Sequence, residues 1–91
     1  MSDKAILVTE NDGVFYVVVS EGGGETRHEV TLASADLARL APGADAAALI
    51  QAAFAFLLDR EPKEAILPRF DLSVIARYFP EFERELASYL R

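Results

Sequence analysis

At 91 residues with a formal net charge of -6, the chain is sized for one domain, residues 1–91, that can bury enough apolar surface to fold without staples. It has no cysteine and a single histidine, His28, which excludes disulfides, thiolate metal sites and multi-histidine metal sites and suits a cytoplasmic protein. Residues 1–58 hold three basic and eight acidic side chains and residues 59–91 hold six and seven, so no cationic cluster answers a phosphate backbone and no nucleic-acid partner is expected.

The N-terminal stretch MSDKAILVTE has one lysine and four clearly apolar residues before Thr9. That falls short of an export signal. Residues 5–9 (AILVT) and 14–19 (VFYVVV) are rich in β-branched and aromatic residues and flank Asp12-Gly13, a pair able to supply the positive φ values of a tight hairpin turn. A third strand is expected over residues 26–32, where His28, Val30 and Leu32 alternate with Arg27, Glu29 and Thr31. The second strand is apolar on both faces, as the middle strand of a three-stranded antiparallel meander would be. Gly22-Gly23-Gly24 joins strands two and three; because a strand follows it rather than a helix N-terminus, it reads as a hairpin connection and not a phosphate loop.

Ser34 is the expected N-cap of a short helix over residues 35–41, with Asp36 in its first turn and Pro42-Gly43 ending it. The stretch that organises the chain is residues 45–59, DAAALIQAAFAFLLD, whose only polar residue between Ala46 and Leu58 is Gln51. A helix apolar on every side must be covered by several neighbours or by a second copy of the chain, which makes a homodimer the expected assembly. At 13 residues it is too short for a bilayer, which needs roughly 20, so no membrane partner is expected. Residues 62–68 suggest one helical turn between prolines. Asp71 is the expected cap of a helix carrying Leu72, Ile75 and Phe79 on one face, and Pro80 restarts a helix lined by Phe82, Leu86, Tyr89 and Leu90. The fold class is therefore α+β: a three-stranded antiparallel meander followed by three to four helices packed on one side around a central apolar helix.

In Phe70-Asp71-Leu72-Ser73-Val74-Ile75-Ala76-Arg77-Tyr78-Phe79-Pro80-Glu81-Phe82-Glu83, and in the preceding Asp59-Arg60-Glu61-Pro62-Lys63-Glu64, the chain resembles a group of short bacterial proteins of unknown function. The resemblance covers mainly residues 57–83 and implies no catalytic or binding residue. Asp12-Gly13-Val14-Phe15-Tyr16-Val17 also resembles the first hairpin of HicB-type antitoxins, although the proline- and glycine-rich segment that follows it there is absent.

No catalytic constellation stands out. His28 has no serine or cysteine placed beside it as a nucleophile, and the i+2 spacing of Glu81, Glu83 and Glu85 sends their carboxylates in divergent directions, as on a solvated face. Phe70, Tyr78, Phe79 and Phe82 fall at core-facing helical positions. The residues most suited to recognition are Arg69, Arg77 and Arg84, which could gather as a patch for a carboxylate or phosphate group or pair locally, Arg69 with Asp71 and Arg77 or Arg84 with Glu81. The sequence therefore reads as a non-catalytic, self-associating interaction module without a cofactor or metal. Competing readings are a binder of a small apolar ligand held between the sheet and the alanine-rich helix, and an antitoxin-like acidic partner of a basic protein.

Overall fold

The computed structural model describes residues 4–90; the first three residues of the N-terminal stretch and Arg91 lie outside it. Three strands, β1 (Ala5–Asn11), β2 (Val14–Glu21) and β3 (Gly24–Thr31), form the expected antiparallel meander. Asp12 (φ 54°) and Gly13 (φ 79°) make the first turn, and Gly22 (φ 62°) with Gly23 (φ 82°) makes the second. Both are two-residue turns with positive φ at each position, the geometry that matches the twist of a hairpin. The glycine run is thus tighter than a flexible connection, since Gly24 already pairs with Glu21.

The sheet has a fourth strand that the sequence did not disclose. β4 (Arg69–Asp71) lies beside β3 and parallel to it, giving a mixed sheet in the order β1-β2-β3-β4. Three residues are too few to carry a periodic signal. The pairing is nevertheless anchored at both ends, because the Glu29 amide donates to the Pro68 carbonyl at 2.8 Å and the Leu72 amide to the Thr31 carbonyl at 2.9 Å. The Thr31 hydroxyl also donates to Asp71 Oδ1 at 2.6 Å.

Helices α1 (Ser34–Leu40), α2 (Ala46–Leu58), α3 (Val74–Tyr78) and α4 (Phe82–Tyr89) surround the core with a 3₁₀ turn at Lys63–Ala65. Two expected caps are corrected: Ala33, not Ser34, precedes α1, and Ser73, not Asp71, precedes α3, while Asp71 accepts from the Ser73 amide and hydroxyl. Asp45 stands at the N-cap of α2 without a side-chain capping bond. Backbone carbonyls serve the first amides in place of side-chain caps: Ala33 accepts from Asp36 and Leu37 at 3.0 and 3.1 Å, and Leu72 accepts from Ile75 at 3.1 Å.

One sheet face is buried: Phe15, Val17 and Val19 of β2 with His28 and Val30 of β3. Helix α2 lies across this face. Phe54 points to the sheet side, with its ring 5.3 Å from His28 and 6.0 Å from Phe70. Phe56 points the opposite way, into an aromatic group with Phe79, Phe82 and Tyr89 at 5.9, 5.0 and 5.7 Å. The helix is therefore packed on two sides within a single copy, and Leu49, Ile50, Ala52, Ala53, Phe54, Phe56 and Leu57 are all buried. At about 100° per residue these positions cover roughly 200° of its circumference. The remainder, which includes Ala47, Ala48, Gln51, Ala55 and Leu58, is exposed or half-buried.

Candidate functional site

An open surface, without charged residues along α2 and residues 5–9 of β1, runs along one flank of the molecule. Its helical part is the open stripe of α2, where Asp45 and Asp59 bracket a run without any charged residue. Its strand part is the free edge of β1, which pairs with β2 on one side only. The two parts adjoin, since Gln51 Nε2 donates to the Ile6 carbonyl at 3.4 Å. Along β1, Ile6 and Val8 turn toward the core yet stay half-buried, while Leu7 on the opposite face is 63% exposed. The outer face of the sheet continues from Leu7 to Val18 and Arg27, and from Thr9 to Tyr16, Glu29 and Arg69 in the next row. No helix covers Tyr16, which is 41% exposed.

A second candidate is an apolar groove of about 360 Å³ beneath the C-terminal end of α2. Leu57 and Glu61 form one wall, Ile66 and Leu67 follow the 3₁₀ turn, Phe70 comes from β4, Val74, Ile75 and Tyr78 come from α3, and Phe79 follows it. The proline-bracketed segment positions the groove, since it turns the chain from α2 back to the sheet and leaves Leu67 and Tyr78 exposed at its rim. The groove's one ionisable acid is Glu61, whose carboxyl is pushed up from the usual range by burial. Phe70, Tyr78 and Phe79 are thus groove residues, whereas Phe82 is a core residue. The groove lies at the C-terminal end of α2 and beyond the sheet edge, not between the sheet and the alanines as the sequence suggested.

The three arginines of the expected patch occupy three elements: Arg69 on β4, Arg77 on α3 and Arg84 on α4. Among the described residues no hydrogen-bond network or cavity joins any two of them. Arg69 meets Glu29 at 3.3 Å rather than Asp71. The chain between the other two is interrupted at Phe79, whose φ of -130° and ψ of 87° end α3. Glu81 is engaged elsewhere, by an arginine to which the sequence reading gave no role.

That residue is Arg60. Its Nε donates to Glu81 at 3.0 Å and its Nη2 to Glu85 at 2.6 Å, while its guanidinium carbon stands 3.7 Å from the centre of the Phe56 ring. Tyr89, which donates to Asp59 Oδ2 at 2.6 Å, sits 3.5 Å from Nη1. Burial opposes the Arg60 charge, but the bonds to Glu81, Tyr89 and Glu85 outweigh it and hold the guanidinium more basic than usual. The Glu81 carboxyl is held below its usual range by its own backbone amide and by Arg60. Glu83 pairs with Arg39 of α1 at 2.8 Å. Glu81 and Glu85, one turn apart, therefore converge on Arg60 while Glu83 turns away to Arg39, so these glutamates tie α4 to the rest of the molecule instead of simply meeting solvent. The arginine at i+4 from Phe56 was the available sequence signal.

His28 is buried with both ring nitrogens satisfied, Nδ1 by the Leu67 carbonyl and Nε2 by the Thr26 hydroxyl, each at 2.8 Å. Its bonds join β3 to the groove-forming segment. Among the described residues no helix is long and apolar enough to cross a membrane, and no three His, Asp or Glu side chains converge so as to hold a metal ion. No protein-family model, curated protein or solved structure matches the chain.

Proposed function

We propose that this chain is a non-catalytic interaction module of the cytoplasm that self-associates through the flank formed by the edge of β1 and the open stripe of α2. The observation that carries this reading is that α2 and residues 5–9 of β1 carry no charged side chain in a chain with a net charge of -6. Copies repel one another least there. An unpaired strand edge also offers backbone donors and acceptors that another strand satisfies, and alanines permit close approach of a second helix. Sedimentation at micromolar to tens of micromolar concentration tests the proposal. A mass rising above 10.0 kDa with concentration, abolished by Ala48→Glu with Ala55→Glu, supports it. A 10.0 kDa species throughout overturns it.

The groove favours a second reading, a site for a small apolar ligand with a cationic end. Its lining supplies the apolar contact and Glu61 the countercharge, the combination of apolar walls and a few placed polar groups found in ligand sites. Titration with hexylammonium should shift the resonances of Ile66, Ile75 and Tyr78, with hexanoate much weaker. Equal shifts from both ions, or none from either, exclude this reading.

A further inference from the structure

We infer that two copies join through β1 in antiparallel register, across a twofold axis at Leu7, so that Lys4 of each copy stands opposite Glu10 of the other. This rests on the self-association reading and specifies its geometry. Natural sheet edges are commonly blunted by a central lysine, a proline or a bulge. β1 has none of these between Ala5 and Thr9, and its register with β2 runs unbroken from Ala5 to Asn11.

The charges flanking that stretch select the register. Lys4 and Glu10 are equally spaced on either side of Leu7, both are exposed, and neither forms an ion pair among the described residues. A twofold centred on Leu7 places Ile6 opposite the partner's Val8, Ala5 opposite the partner's Thr9, and Lys4 opposite the partner's Glu10. Centring on Ile6 or Val8 instead sets one of the two charges against an apolar residue. Directly opposed residues of an antiparallel pair point to the same face, so this register keeps both helical layers on one side of a continuous sheet. The α2 stripes then approach each other, Ile6 and Val8 gain cover from the second copy, and the two exposed Leu7 side chains meet on the outer face. The Ile6 carbonyl, to which Gln51 donates, can accept a second hydrogen bond.

The absence of cysteine makes the register directly readable. Opposed residues of an antiparallel pair have Cα atoms about 4.5–5.5 Å apart, within disulfide range. Leu7→Cys should therefore oxidise almost completely to a covalent dimer, whereas Thr9→Cys, displaced along the strand from its own copy, should not. Lys4→Glu should weaken association by about tenfold, because two attractive pairs become repulsive, and adding Glu10→Lys should restore it. If the unmodified protein dimerises but Leu7→Cys does not cross-link, or Thr9→Cys does so as readily, the register is wrong while self-association stands. If the unmodified protein stays monomeric, both fall.

Discussion

Arg60 replaces several weak contacts with one well-placed group. A guanidinium can lie flat on the Phe56 ring and still direct separate N–H donors at Glu81 and Glu85, which an ammonium cannot do. Its side chain is 20% exposed, so solvent screens the ion pairs in part. Arg60→Ala is expected to destabilise the fold by about 1–2 kcal/mol, combining the stacking and ion-pair contributions. Arg60→Lys should recover less than half of that loss in chemical denaturation. Two carboxyls should respond to pH with opposite signs. At Asp71 burial acts to raise the pKa, but hydrogen bonds from Thr31 and Ser73 overcome it and leave the group below its usual range. Its contribution is complete above the unfolded value of about 3.9 and is lost as pH falls through the lower folded value; Asp71→Asn should remove that part of the acid transition. At Glu61 burial raises the folded pKa, so its contribution is complete below the unfolded value of about 4.3 and is lost as pH rises through the folded one. Glu61→Gln should therefore make the protein more stable at neutral pH, and the gain measured by thermal melts should shrink below pH 4.

The elements differ in how visibly the sequence encodes them. Helix α2 was legible to the residue, because an aspartate, thirteen non-charged residues and a second aspartate delimit it. Which of its sides stays open was not legible, since alanine is acceptable both in a core and at a surface, and only the placement of the sheet and α4 separates Ala53 from Ala48. The two hairpins were visible through Asp12-Gly13 and the glycine run, whereas β4 depends on pairing with residues forty positions away. The candidate site was less legible still. Phe70, Tyr78 and Phe79 show helical or core-like spacing, and nothing local reveals that they and Leu57 leave a groove between them. The same distinction sets the expected cost of substitution along α2. Phe56→Ala should destabilise by about 3–5 kcal/mol, while Ala48→Ser on the open stripe should cost about 0.5 kcal/mol or less; urea titrations that gave equal values would contradict the packing described.

For the whole molecule, the distribution of charge matters more than its total. Arg27, Arg39, Arg60, Lys63 and Arg69 each stand within ion-pair distance of a carboxylate, so most of the chain's positive charge is locally compensated. No salt-sensitive mobility shift of duplex or single-stranded nucleic acid is expected at micromolar protein near physiological salt. The parallel pairing of β4 also has a consequence in time. Each hairpin closes over a two-residue turn, but β4 reaches β3 only after the chain from Leu32 to Pro68 has been gathered, which raises the loop-closure cost by about 2–3 kcal/mol. Hairpins form within microseconds, so β4 should dock late in refolding and be the first strand to lift away. Native-state hydrogen exchange should then find the Glu29 and Leu72 amides, which close the two ends of this pairing, opening at lower free energy than those of Val17 and Val19. Because Phe70 belongs to β4, each such opening would also remove one wall of the groove, giving a ligand a brief entrance wider than the resting one.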